Sequence, residues 1–356
     1  MATLLIDLTG FVPNKNYGAQ AFVLCLFDAF KVNSDYKKIV ICSKACKEFL
    51  GSTDYFQYKL VMLPSNFIIR SIFAFFYLNY FNFKLKPQKI FYPLNINYTS
   101  GDKVYTYLHD LVCLYYIKNY RLKYSLKYYI LYLKYKLQFS KKTNIAVPSS
   151  FIKNQFINTF NTKIRPFVIR EGRVLNIIES PDVAVKNKKV FLVNSLNAKH
   201  KNISDLINAL HLLQNENLKF DIEFKFTGNL NQKIKGFIQD FSHNKIKLTP
   251  TGYLTYKQIA SEIKACTAII FCTNYEGFGI PVLEAMESSK PIICSDIEVL
   301  REFNYNGQYF YKNNHPQTLK NQIIEVGKQN NIVVSSKSQL EEYNWNNIVN
   351  WVLNNG

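Results

Sequence analysis

The stretch Ala268-Ile269-Ile270-Phe271-Cys272-Thr273-Asn274-Tyr275-Glu276-Gly277-Phe278-Gly279-Ile280-Pro281-Val282-Leu283-Glu284-Ala285-Met286 decides the fold. A short apolar run of strand length enters a polar turn broken by two glycines. Pro281 then suits a first helical position, where its missing N–H has no partner to lose. Strand, tight turn and helix make half of a βαβ unit. No Ser, Thr, Asp or Asn directly precedes Pro281, so the first helical amides have no side-chain cap. Uncapped amides, the positive end of a helix dipole and glycines that let a ligand reach the backbone suit a diphosphate. Glu284, read as first-turn, is wrong for a phosphate and right for the two hydroxyls of a ribose. Glu276, before the glycines, stands where a sugar on the diphosphate projects. Two glutamates at this spacing are common by themselves. Their weight comes from the strand–turn–helix around them and from Pro291-Ile292-Ile293-Cys294-Ser295-Asp296 that follows.

The same alternation runs outward in both directions. Strands are expected at Leu4–Leu8, Ile39–Cys42, Leu60–Leu63, Lys89–Tyr92, Val104–Leu108 and Ile145–Val147, and then at Val190–Asn194, Ile222–Thr227, Ile246–Leu248, Ala268–Cys272 and Pro291–Cys294. Helical patterns lie between them, among them Ala19–Phe30, Ile68–Tyr80, Leu111–Phe139, Ser204–Leu213, Gln232–Phe241, Tyr256–Lys264, Pro281–Glu287 and Pro316–Gly327. This is parallel α/β structure. Its 356 residues suit two doubly wound domains rather than one. Pro166, Gly172 and Pro181 punctuate the polar stretch near Arg165–Ser180, which sets the expected domains at 1–170 and 171–335, with a terminal segment 336–356. Ligands of such sheets bind at the carboxyl ends of strands.

The formal charge is +19, and residues 66–143 hold thirteen Lys and Arg against two acids, Asp102 and Asp110. So basic a half implies a polyanionic partner: nucleic acid, phospholipid headgroups or phosphorylated substrates. Seven cysteines without a Cys-x-x-Cys pair read as buried free thiols in a reducing compartment. No His or Cys pair completes a metal site around Cys42 and Cys46. The start, Met1 to Leu8, lacks the basic region of a secretory leader. The longest apolar run, Ser71 to Phe83, is broken by Asn79 and Asn82 and falls short of the ~20 residues of a membrane span. The expected location is the cytoplasm, peripheral on the inner face of the cell membrane.

Glu276 and Glu284, seven residues between them, with Gly277-Phe278-Gly279-Ile280-Pro281, resemble the signature of the retaining glycosyltransferases of family 4. The resemblance is strong from Gly252 to Glu302 and weaker before. It implies a GT-B fold, two facing Rossmann-like domains with a cleft between them. The implied donor is a nucleotide diphosphate sugar, with no cofactor and no metal; the sequence has no Asp-x-Asp. Donor contacts are implied for Gly277, Phe278, Gly279, Ile280 and Glu284. Tyr105-Thr106-Tyr107-Leu108-His109-Asp110 resembles the His-Asp segment that lines the cleft, so His109 is expected on the donor sugar. Gly18, opening a helix after the first strand, is expected beside the diphosphate. Val193-Asn194-Ser195-Leu196-Asn197-Ala198-Lys199-His200-Lys201-Asn202 resembles the phosphate loop, with Lys201 as its lysine. Many members carry arginine where this chain has Ser195, so a two-cation clamp depends on Lys199. Glu276, His109 and Lys201 are the expected catalytic residues. Ser149 or Ser150 reads as a helix cap, Ser289 as left-handed, and Trp345 as packing in a helix that returns to the first domain.

Leu114 to Phe139 holds eight Tyr among its Lys and Arg, and Lys123, Lys127 and Lys134 share a helical face. Tyr with Lys suits a membrane interface. The expected partners are therefore a nucleotide-sugar, a saccharide or lipid-linked acceptor and an anionic membrane surface, with no nucleic acid. A solvated basic face is the plainer reading. The competing classes are a nucleic-acid-binding protein, for which no helix-turn-helix or zinc pattern stands out, and a non-catalytic membrane-surface protein on the same fold.

Overall fold

The structure is a computed structural model and describes residues 1–13, 17–32, 35–51, 54–94, 99–120, 122–139, 142–174, 188–194, 198–329 and 339–354. Ser195, Asn197, Pro181 and the 175–180 part of the expected junction lie outside them, as does the side chain of Lys123. The chain divides into two compact units, Met1–Val174 with Glu342–Gly356, and Leu175–Glu341.

The first unit runs β1 (Ala2–Asp7), α1 (Tyr17–Lys31), β2 (Tyr36–Cys42), α2 (Lys44–Leu50), β3 (Gln57–Leu60), α3 (Phe67–Leu85), β4 (Lys89–Tyr92), β5 (Val104–Tyr107), α4 (Val112–Asn119), α5 (Leu122–Gln138), β6 (Asn144–Val147), α6 (Ser150–Thr159) and β7 (Phe167–Val168). Its seven strands are parallel in the order β3-β2-β1-β4-β5-β6-β7. The second unit runs β8 (Lys188–Asn194), α7 (Ile203–Leu213), β9 (Asp221–Thr227), α8 (Gln232–Asp240), β10 (Ile246–Gly252), α9 (Tyr256–Ala265), β11 (Ala268–Phe271), α10 (Ile280–Glu287), β12 (Ile292–Ser295), α11 (Glu298–Arg301), β13 (Gln308–Tyr311) and α12 (Pro316–Lys328). Its six strands are also parallel, in the order β10-β9-β8-β11-β12-β13. The terminal helix α13 (Trp345–Asn354) belongs to the first unit.

The inner strands are buried on both faces, as parallel sheets require, and β4, β5, β11 and β12 have no exposed residue. Caps mark several helix starts. Ser149 Oγ accepts from the Ile152 amide, so Ser149 rather than Ser150 caps α6. Thr255 and Gln258 close a capping box on α9. Ser289 is left-handed at φ 50, as expected.

Three expectations shift. The third strand is Gln57–Leu60 rather than Leu60–Leu63. It is a largely exposed edge strand, so alternation rather than a solid apolar run marks it. Leu111–Phe139 is two helices, α4 and α5, because Tyr120 takes an extended backbone. The short edge strands β7 and β13 carry too few apolar residues to stand out. The seven cysteines are all free and only Cys25 is less than buried.

Helix α13 is fastened to the first unit by side chains that the sequence does not pair. Trp345 Nε1 donates to Arg173 O at 2.7 Å and the Arg173 amide donates to Tyr343 O at 3.2 Å. Arg170 pairs with Glu342, and Lys89 Nζ donates to Leu353 O at 2.9 Å. Between these, Gly172 lies so close to Trp345 that a Cβ there would meet its Cδ1 at 2.4 Å and its backbone nitrogen at 2.5 Å. The Trp345 backbone has nowhere to go without breaking that fastening. Gly172→Ala is therefore expected to destabilise the first unit by about 1–3 kcal/mol, the usual cost of overpacking, read as a lower urea midpoint. An unchanged midpoint would show that α13 is not held as described.

Candidate active site

In the second unit the strand order reverses between β8 and β11: the chain steps outward from β8 to β10 and returns to the other side of β8 at β11. Such a switch point leaves a crevice at the carboxyl ends of its two strands. Here the two loops are tied together directly. The Asn202 amide donates to Cys272 O at 3.1 Å, and the Asn274 amide donates to His200 O at 2.8 Å. Parallel pairing of β8 with β11 sets the ends level, and these bonds hold the loops in register beyond the sheet.

This brings Lys201 and Glu276 together. They form an ion pair whose side chains are 9% and 15% exposed. Thr273 Oγ1 lies 2.8 Å from Glu276 Oε1, and Lys201 Nζ stands 4.7 Å from the centre of the Phe271 ring. The Thr273 amide donates to Ser295 Oγ at 2.8 Å, and Asn313 Nδ2 donates to Thr273 O at 2.9 Å. A carboxylate of this burial with a lysine, a hydroxyl and a braced loop is oriented by its surroundings rather than by solvent. Breaking such a pair from one side leaves the other charge buried and alone. His200 lies beside it, its pKa pushed down to about 4 by burial, with Lys201 adding to the shift and Glu276 opposing it. Its imidazole is thus neutral at physiological pH. Neither Thr273 nor His200 was singled out from the sequence, because each gains its meaning only from the neighbour that the β8–β11 pairing supplies.

The turn to α10 follows. Gly279 is its N-cap in the left-handed region at φ 119, and no side chain caps the helix. A Cβ at Gly279 would meet Leu300 Cδ2 at 2.5 Å. This glycine is thus demanded by backbone angle and by packing, rather than by ligand access. Phe278 is buried, its ring 5.1 Å from that of Phe303, so its side chain serves the core. Helix α10 begins at Ile280, with Pro281 second, one residue earlier than expected. Glu284 is therefore one turn in, not in the first turn. It is 4% exposed, and its Oε1 is buried without a hydrogen-bond partner among the described residues. Burial, with a contribution from Glu287, pushes its pKa up to about 8. Lys199 is exposed. Among the described residues no group of three His, Cys, Asp or Glu is placed to hold a metal ion.

In the first unit Gly18 is the second residue of α1, inside its first turn. His109 follows β5. Its Nε2 donates to Pro93 O at 2.8 Å, and its Nδ1 lies 3.0 Å from Glu171 Oε1. A carbonyl only accepts, so Nε2 carries a proton and Nδ1 shares another with Glu171. Burial is the largest influence and opposes the charged imidazole, but Glu171, the Pro93 carbonyl and Asp110 together outweigh it and the His109 pKa is raised. Glu171, 3% exposed, is the partner that sequence reading missed. It lies 62 positions away in a stretch read as a linker. The two residues expected in this unit are thus held within its own framework.

Residues 176–344 match the family model described as glycosyl transferases group 1. An uncharacterized glycosyltransferase of Methanocaldococcus jannaschii, MJ1178, is 29% identical over 199 residues, which cover 54% of this chain and 52% of that protein. The O-antigen chain mannosyltransferase RfbU of Salmonella typhimurium is 22% identical over 268 residues, 69% of this chain and 67% of RfbU. The chain therefore spans about half the length of the first of these relatives and about two thirds of the second. Among solved structures WaaG, a glycosyltransferase involved in lipopolysaccharide biosynthesis, has a TM-score of 0.70 at 12% identity, covering 98% of this chain and 95% of WaaG.

The buried Glu284 carboxyl has a consequence for stability. The folded chain keeps its proton up to about pH 8, whereas an unfolded chain releases it near 4.5. The folded state binds the extra proton, so stability is lost as pH rises through that window. Glu284→Gln removes the dependence. The melting temperature of the variant relative to the parent is expected to climb between pH 5 and pH 8. A constant difference would show that Glu284 is not buried as a neutral acid. Matched by the group 1 glycosyl transferase family over its second unit, the chain builds two parallel Rossmann-like units of the kind seen in GT-B glycosyltransferase structures.

Proposed function

We propose that the protein is a retaining, metal-independent glycosyltransferase that moves a hexose-type sugar from a nucleotide diphosphate sugar to a lipid-linked or surface-polysaccharide acceptor. The observation that carries this reading is the pairing of Lys201 with Glu276 at the β8–β11 switch, together with the unpartnered Oε1 of Glu284 one turn into α10. In this chain the lysine and the glutamate neutralise each other. A bound donor exchanges both partners: its diphosphate takes the lysine, and its sugar hydroxyls take the carboxylate. The leaving charge then rests on Lys201, the exposed Lys199 and the uncapped amides of α10. The Glu284 carboxyl accepts from the ribose hydroxyls, which satisfies the lone buried oxygen. Glu276 positions the sugar, and the leaving phosphate receives the acceptor's proton in a front-side transfer. Both ring nitrogens of His109 are engaged, by Glu171 and by the Pro93 carbonyl, so its ring offers no free nitrogen to a sugar hydroxyl.

The acceptor class is supported by two similar proteins, the O-antigen chain mannosyltransferase RfbU and WaaG, a glycosyltransferase involved in lipopolysaccharide biosynthesis. The basic first half, working at the inner face of the cell membrane, suits a lipid-linked acceptor. Membrane attachment here means lying on the surface, since no described helix is long and apolar enough to cross it.

Calorimetric titration with uridine and guanosine diphosphate sugars tests the donor site. Glu284→Ala is expected to weaken the preferred donor by at least tenfold, as for a lost hydrogen bond to a charged group, worth about 1.5–3 kcal/mol. Because the diol favours the ionised carboxyl, the parent is expected to bind more tightly at pH 8 than at pH 6. Affinity that ignores both changes would remove Glu284 from the donor site. Lys201→Ala is expected to lower kcat by roughly 10²–10³, the scale of a lost charge-stabilising donor. The anomeric configuration of the product decides the mechanism: a retained linkage is expected, and an inverted one refutes it.

A further inference from the structure

Helix α3 is apolar on two opposite faces. Leu78, with Tyr77, Phe81 and Leu85, packs onto the sheet against Ile90, Tyr92 and Val104. On the other side Ile69, Ile72, Phe73, Phe76, Tyr80 and Phe83 are exposed, Phe76 at 66% and Phe83 at 80%. At about 100° per residue these six fall within roughly 100° of arc, one continuous stripe. Helix α5 repeats the pattern. Leu126, Tyr129, Leu133 and Leu137 are exposed, at intervals of three and four that put them on one line. Exposed aromatic and aliphatic residues are normal when scattered, but not when collected on one line.

The two stripes share a layer. Helix α3 connects β3 to β4, and α4 with α5 connects β5 to β6. Both steps move the same way along the sheet order. Right-handed crossovers therefore put both helices on the same face of the sheet.

Charge says what covers them. Neither α3 nor α5 contains an acid. Lys127 and Lys136 are exposed on opposite flanks of the α5 stripe, and Lys84 and Lys86 stand exposed at the end of α3. An apolar line edged by cations only is not complementary to itself, which disfavours a second copy of this chain. It is complementary to a surface with anionic headgroups over hydrocarbon. We infer that the α3–α5 face inserts its Phe and Leu side chains shallowly into an anionic lipid leaflet, with the lysines at headgroup level. This inference rests on the proposed membrane-side role and sharpens it, since charge alone gives attachment that salt abolishes, whereas inserted side chains hold in salt.

Flotation of the full chain with phosphatidylcholine vesicles, with and without phosphatidylglycerol, at low and high salt tests this. The parent is expected to float with the anionic vesicles only, and a fraction is expected to stay bound at high salt. Phe76→Ser with Phe83→Ser, both exposed positions, is expected to cut the salt-resistant fraction at least tenfold and to leave low-salt binding. Lys127→Ser with Lys136→Ser is expected to weaken binding to the anionic vesicles at low salt and to leave the salt-resistant fraction in place. Parent and Phe variant floating alike at high salt would overturn the inference, as would no binding at all. So would a lipid-free dimer, seen by size exclusion, that the Phe variant dissociates, because a second copy would then cover the stripe. Donor titration run on the same samples separates the two proposals: vesicle binding without donor binding ends the transferase reading alone, and donor binding without vesicle binding ends the insertion alone.

Discussion

The pairing of β8 with β11 is the constraint on which the second unit's chemistry depends. The two strands are distant in sequence and parallel in space, so their carboxyl ends finish level. Two backbone hydrogen bonds, from Asn202 to Cys272 and from Asn274 to His200, carry that alignment into the loops. Without them a lysine and a glutamate 75 positions apart would each be a solvated surface charge. With them the pair is mostly buried and braced by Thr273, itself held by Ser295 and Asn313. The backbone thus does the positioning, and the side chains inherit it.

Most of the fold was legible from periodicity. Strands such as Lys89–Tyr92, and helices such as Ser204–Leu213, which the structure begins one residue earlier at Ile203, are strongly apolar on the faces they bury. The misplaced or missing elements share a cause. β3, β7 and β13 lie at or next to sheet edges, where one side is open and little apolar surface is needed. The split of α4 from α5 was invisible because tyrosine and lysine continue unchanged across the break.

The candidate site was legible in parts. The Gly277–Pro281 turn announces itself, since only glycine accepts φ 119 at Gly279 against Leu300. The reason assigned to that glycine was different, because a packing demand and a ligand demand leave the same mark in a sequence. Lys201 and Glu276 could be named but not joined, and nothing local ties Glu171 to His109. Such partnerships are properties of topology. Ser195, where a second cation was at issue, lies outside the described residues, so the weight on Lys199 is unchanged.

The first unit is closed by the last residues of the chain. Residues Glu342–Gly356 belong to it, while the whole of Leu175–Glu341 intervenes. In gene order the second unit is thus an insertion within the first. A ribosome that has released the first 174 residues has made every strand of the first sheet but not the helix that covers Phe22 and Tyr105 with Trp345 and Trp351. The second unit, contiguous in sequence, meets no such delay and has all its parts before α13 is made. The unit that begins first is therefore completed after the second, and a chain cut short before α13 loses part of the first core while leaving the second unit's strands intact.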